Sequence, residues 1–283
     1  MTQVDASEYQ QWLGKTEHDE DDISAQPAAA LAATLDKSNF DASIGQPLPP
    51  AWHWIYFRSA VPASELGPDG HPRRGGFLPP ISLPRRMWAG SRLHFHHPIL
   101  IGDHLQRRST IMDITLKQGR SGQLAFVKVQ HAYLRDDICV LEEEHDIVYR
   151  EAASADTAPA KSAPAPAQYD WQQTIHPDSV MLFRYSALIF NAHRIHYDRS
   201  YCQEEEAYPG LIVHGPLIAT LLLDLVTTSQ PKPVQAFDFR ALAPLFDTGD
   251  FSVNGRNLDE HQSELWAVNQ QGQLCMRATA QLQ

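Results

Sequence analysis

Two short stretches of the chain gather side chains that can do chemistry. Phe190–Asp198, FNAHRIHYD, sets Asn191, His193, Arg194, His196 and Asp198 within nine residues. A histidine titrating near neutrality can take a proton from water and give it back, which is general acid–base work. His193 and His196 also fit two ligands of a metal, although their i, i+3 spacing lacks the third ligand of an HExxH-type site. A third reading has these side chains only satisfying loop backbone. Tyr208–Pro216, YPGLIVHGP, runs from a Pro-Gly turn into His214-Gly215-Pro216 ahead of an apolar segment. Gly215 lets a ligand approach bare backbone, and Pro216 suits a first helical turn. The positive end of such a helix would hold the charge of an enolate or thioester oxygen. A glycine needed only for packing is the plainer alternative, and neither stretch alone identifies a reaction.

Positioning these residues requires a framework. Gly215–Val226 (GPLIATLLLDLV) is apolar on nearly every face, which predicts a helix buried on most sides. Arg92–Phe95, His104–Leu116, Gln123–Arg135 and Ile138–Tyr149 read as strands, the last three an antiparallel meander with turns at Gln118–Gly122 and Asp136–Asp137. Glu151–Gln168 is rich in alanine and proline and reads as an extended linker. Beyond it, Pro233–Leu245, Asp250–Arg256, Ser263–Asn269 and Gln273–Leu282 repeat the strand rhythm. The expected division is residues 1–150, a linker over 151–168, and residues 169–283. Ala28–Leu35 predicts a short helix, and the acidic run Glu17–Asp22 predicts a solvated surface segment.

Composition narrows the partners. With 23 Lys+Arg against 34 Asp+Glu, a net charge of −11 and a pI near 5.6, the 283-residue chain should be repelled by nucleic acid. The longest apolar stretch, Leu211–Val226, is broken by His214, Pro216 and Asp224, so no membrane span of about 18 residues is expected. Three cysteines without CxxC spacing suggest neither a disulfide framework nor structural zinc. The amino terminus lacks a basic region followed by an apolar block, and a cytoplasmic protein is expected. Seven of the 17 arginines, Arg73, Arg74, Arg85, Arg86, Arg92, Arg107 and Arg108, fall between residues 73 and 108 and predict a mouth for phosphates.

Asn191-Ala-His-Arg-Ile-His196 followed by Ile212-Val-His214-Gly215 resembles the signature of the MaoC-like hot-dog hydratases and dehydratases of acyl thioesters. The longer pattern, N-x-H-R-I-H-Y-D then Y-P-G-L-x-V-H-G-P, resembles the type 2 hydroxyacyl-thioester dehydratase branch, which includes mesaconyl-CoA and itaconyl-CoA hydratases. Trp52–Phe57, Gly75–Pro80, Leu83–Gly90 and His94–Gly102 carry the resemblance into the amino-terminal half, leaving out only the first 50 residues. It implies an α+β double hot-dog with two antiparallel sheets, each wrapping a helix position. The central helix is intact in the carboxy-terminal repeat and degenerate in the other.

The resemblance further implies a hydro-lyase that hydrates itaconyl-CoA or mesaconyl-CoA to citramalyl-CoA. Coenzyme A enters only as the substrate's thioester, no cofactor or metal is implied, and a homodimer is expected. The wider group has a carboxylate where Asn191 stands, and an amide cannot accept water's proton. His196 is therefore expected to serve both half-steps, Asn191 to fix the water, and the Gly215 N–H to hold the thioester oxygen. His193 and His214 are expected at the substrate, Arg85 and Arg86 at its binding mouth, and Arg184 or Arg194 at a second carboxylate. A 3-hydroxyacyl-thioester dehydratase of fatty-acid metabolism, a thioesterase and a non-catalytic acyl-CoA-binding module are the alternatives.

Overall fold

Alternation of apolar and polar side chains builds the strands. In Gly122–Arg135, Ala125, Val127, Val129, His131 and Tyr133 turn to one buried face while Phe126, Lys128 and Gln130 stay half-buried on the other. The computed structural model describes residues 6–119, 122–151 and 164–283; the middle of the expected linker and the centre of the first expected turn lie outside them. Among the described residues ten strands result: β1 (Thr16–Asp22), β2 (Arg85–Phe95), β3 (His104–Gly119), β4 (Gly122–Arg135), β5 (Ile138–Arg150), β6 (Trp171–Ile175), β7 (Val234–Ala241), β8 (Phe251–Asn257), β9 (Gln262–Asn269) and β10 (Leu274–Leu282). They form one antiparallel sheet in the order β1-β3-β4-β5-β2-β7-β10-β9-β8-β6. The two expected sheets thus meet edge to edge at β2 and β7, where Leu93 stands opposite Phe237.

The apolar segment is helix α4, Gly215–Ser229, three residues longer than Val226. Leu217, Leu222 and Val226 are wholly enclosed, with β7, β8, β9 and β10 packed around the helix. His214, extended at the N-cap, and Pro216 in the first turn start it. Gln230 before Pro231 turns the chain out of it. The amino-terminal half has no counterpart of α4 among the described residues. There a ten-residue helix, α1 (Ala25–Thr34), and the 3₁₀ turn Trp52–Ile55 line the core. Beside them the wholly buried Glu143 accepts a hydrogen bond from Trp54 Nε1 at 3.0 Å and pairs with His145 Nε2 at 2.7 Å and His53 Nε2 at 3.1 Å. No described helix is long and apolar enough to cross a membrane.

Three expectations need correction. The acidic run 17–22 lies at the solvated surface as expected, but as edge strand β1, whose Asp19 lies opposite Arg107 and pairs with it at 2.5 Å. Poor β-formers hid it, because the cross-strand partner that holds it lies almost 90 residues away. β2 begins at Arg85 rather than Arg92. Strand β6 and two helices, α2 (Ser179–Leu188) and α3 (Arg199–Glu204), were not predicted, although Asp178 caps α2 by accepting from Met181 N at 2.7 Å.

Candidate active site

The FNAHRIHYD stretch is the turn that leaves α2. Phe190 adopts a left-handed φ of 52°, and Asn191 then caps the loop, its N–H donating to Ser186 O (2.9 Å) and its Oδ1 accepting from His193 N (3.0 Å). A 3₁₀ turn, Arg194–His196, follows and buries His196. His196 Nδ1 donates to the Ile212 carbonyl at 2.7 Å, which leaves Nε2 with a lone pair. Burial draws its pKa down to about 4; the Ile212 hydrogen bond opposes that and protonation of His71 would add to it, so the ring is a neutral acceptor at pH 7. His214, at the N-cap of α4, stacks on His196 with centroids 3.7 Å apart and planes 15° from parallel. Its Nε2 shares a 2.8 Å hydrogen bond with Ser186 Oγ of α2, and burial keeps it neutral, a tendency that protonation of His196 or His193 would strengthen.

A second loop, from the other half of the chain, closes on this one. His71 Nδ1 donates to Asp69 Oδ2 at 3.0 Å, and the His71 ring packs against His193 at 3.9 Å; His193 in turn meets His196 edge-on at 5.6 Å. Arg194 joins the loops, its N–H donating to Asp69 O (2.9 Å) and its Nη1 to Pro68 O (3.1 Å). Gly70, at φ 88°, is required there, because a Cβ would sit 1.8 Å from Ala192 O. Burial pulls His71 and His193 down, His71 despite its bond to Asp69. Burial alone would raise Asp69, but hydrogen bonding to His71 holds it well below the carboxylate range. Donor atoms of Asp69, His71 and His193 lie within 4.8 Å of one another, yet the carboxylate and one ring are hydrogen-bonded and the two rings lie face against face at a 39° tilt, unlike ligands converging on an ion. Sequence reading missed Asp69 and His71: Pro-Asp-Gly-His-Pro reads as a turn, and nothing in it points to residues 190–196.

Both loops open on one cavity of about 1060 Å³ between the halves, with apolar walls from Trp88 and Ile147 on one side and Ile189 and Met276 on the other. Small-molecule sites span roughly 300–1,000 Å³, so a long ligand fits. His71, Asn191, His193, His196, His214 and Gly215 all reach this cavity. A Cβ on Gly215 would meet nothing within 4 Å, so the first turn of α4 faces open space.

The arginines divide differently from expectation. Arg85 and Arg86 line the cavity, as does Arg150, which sequence reading passed over. Arg184 does not: it lies on the exposed face of α2. Arg194 does not either, because its guanidinium pairs with Asp198 at 2.8 Å and stacks on Tyr201. Arg92 is held by Glu144 and Asp146, Arg107 by Asp19, and Arg74 by the carbonyls of Ile81, Leu83 and Pro84, so these three form no phosphate mouth. Arg73 and Arg108 are also away from the cavity.

Residues 51–247, which contain both loops and α4, match the family of hydroxyacyl-thioester dehydratases type 2. The chain belongs to this family. It is 46% identical over 283 residues to the mesaconyl-C(4)-CoA hydratase of Chloroflexus aurantiacus, with 99% of each chain covered. It is 31% identical over 261 residues to the mitochondrial hydroxyacyl-thioester dehydratase type 2 of Schizosaccharomyces pombe, covering 80% of this chain and 85% of that one. Among solved structures, a MaoC-like dehydratase from Phytophthora capsici superposes with a TM-score of 0.71 at 12% identity, covering 99% of both chains. A Mycobacterium tuberculosis protein with a double hotdog fold gives 0.56 at 16% identity over 96% of both. The family fold is therefore the double hot-dog, and its members' chemistry is that of hydro-lyases.

Proposed function

We propose that this type 2 dehydratase relative is an enoyl-CoA hydratase that adds water to a branched C5-dicarboxylic thioester, itaconyl-CoA or mesaconyl-CoA, giving citramalyl-CoA. The observation that carries the reading is His196: a buried, neutral imidazole whose free Nε2 and the open N-terminus of α4 face the same apolar cavity. In the bound complex, His196 Nε2 and Asn191 hold the water beside the β-carbon. The thioester oxygen lies at the Gly215 N–H, where enolate charge is stabilised as it forms. Arg85 and Arg150 suit the phosphates of coenzyme A, while Arg86 takes the second carboxylate. Arg85 already pairs with Glu206 at 3.1 Å, whereas Arg86 makes no ion pair among the described residues and its charge reaches His71 and His193. The mesaconyl-C(4)-CoA hydratase named above, similar along the whole chain, supports this choice of substrate.

Residues 1–150 supply binding surface and residues 169–283 the helix and the catalytic loop, joined by a linker at 151–168. The enzyme works in the cytoplasm as a homodimer and needs no cofactor. A His196→Ala variant tests the core of the reading. Its kcat for hydration should fall at least about 100-fold while the fold survives. Retention of more than a tenth of the wild-type kcat would turn the reading toward a binding module, which has no use for His196.

A further inference from the structure

The Asp69–His71 couple is unassigned by the reading above, which the following rests on. His196 has a backbone carbonyl behind it and the His214 ring stacked on it, so among the described residues an imidazolium formed there has no carboxylate hydrogen-bonded to it. His71 does: its Nδ1–H is bound to Asp69 Oδ2 at 3.0 Å. Both rings thus have Nδ1 engaged and Nε2 left over, and both line the same cavity from opposite halves of the chain. A water molecule has two protons to offer two such acceptors. From this geometry we infer that His71, oriented and charge-balanced by Asp69, is the proton carrier of the hydration, and that His196 holds the attacking water.

The water oxygen bonds the β-carbon as one of its O–H bonds breaks, and the released proton goes to His71 Nε2. In an α,β-unsaturated thioester such as mesaconyl-CoA, the π pair of the double bond moves toward the α-carbon and thioester oxygen as an enolate. The His71 imidazolium, facing the Asp69 carboxylate, then returns the proton to the α-carbon as the new C–H bond forms. One water has been added, and both histidines end neutral. Asp69 acts through His71 and is a positioning residue. The docking of its loop, through Arg194 and through Gly70 against Ala192 O, keeps the couple at the catalytic loop although about 120 residues separate them.

The test compares wild type, His71→Ala, Asp69→Asn and His196→Ala on the same enoyl-CoA across pH. His71 is faced by Asp69 and Arg74 of its own loop region, Arg86 of β2 and His193 of the catalytic loop. Only the Asp69 carboxylate favours its charged form, so Asp69→Asn lowers its pKa. The acid limb of kcat/KM, set by His71, should therefore move to lower pH in Asp69→Asn, with kcat down about 10- to 100-fold and KM within about threefold. His71→Ala should lose at least about 100-fold in kcat. A His71→Ala variant keeping more than a third of wild-type kcat, or an acid limb that stays in place in the isosteric Asp69→Asn, overturns the assignment. If His196→Ala is inactive while His71→Ala is not, this inference alone fails. If wild type hydrates no enoyl-CoA, the hydratase reading fails first.

Discussion

At the level of single side chains, the proposed substrate choice rests on Arg86. A cation that lines the cavity without an acidic partner is left unpaired by a neutral acyl chain, and that penalty produces discrimination. Arg86→Met should lower kcat/KM for itaconyl-CoA or mesaconyl-CoA at least about 30-fold more than for crotonyl-CoA, about 2 kcal/mol of selectivity. Equal losses on both substrates would remove Arg86 from carboxylate recognition. Gly215→Val should extend into the open space ahead of α4 and cut turnover about 100-fold or more, as loss of an oxyanion donor does, without lowering Tm. Asn191, His193, His196, His214 and Gly215 were legible in the sequence because two contiguous motifs hold them. Asp69 and His71 were not, because their meaning depends on which loop the fold lays against them. Arg184 and Arg194 misled for the same reason: nearness in sequence to His196 says nothing about which way a guanidinium turns.

Among the elements, α4 was the plainest in advance, since a segment apolar all round can only be a buried helix. Leu222, at its wholly enclosed centre, should cost about 2–5 kcal/mol when cut to alanine, read as a lower urea midpoint at unchanged m. A loss under about 1 kcal/mol would mean that the sheet does not close tightly on the helix. The long strands showed through their alternation. β1 did not, because six of its seven residues, Glu17 to Asp22, are acidic or histidine, and such a strand exists only by pairing with β3. Its charges also discourage further strands from adding at that edge. α2 carried a readable start in Asp178 followed by an apolar run; its importance is that it delivers Ser186 to His214.

Over the whole molecule, the site exists because two halves share one sheet and one cavity, an arrangement that element order in the sequence suggested but could not join. The cost of that arrangement is a set of buried histidines held neutral. An unfolded histidine takes up a proton near pH 6.5, whereas folded His196 does so only near 4, and burial lowers His71, His131, His193 and His214 as well. Between those values the unfolded chain binds more protons, so stability falls as the pH falls. The urea midpoint should be lower at pH 5.5 than at pH 7.5, and an equal or higher midpoint at pH 5.5 would contradict burial of these rings in the neutral form. Dicarboxylic hydration is tested by kcat/KM of the purified protein on itaconyl-, mesaconyl-, crotonyl- and long-chain enoyl-CoA. A C5-dicarboxylic thioester should exceed crotonyl-CoA by at least roughly 100-fold, about 2.7 kcal/mol. Preference for crotonyl-CoA or a long-chain enoyl-CoA would contradict the claim and assign the chain to fatty-acyl dehydration.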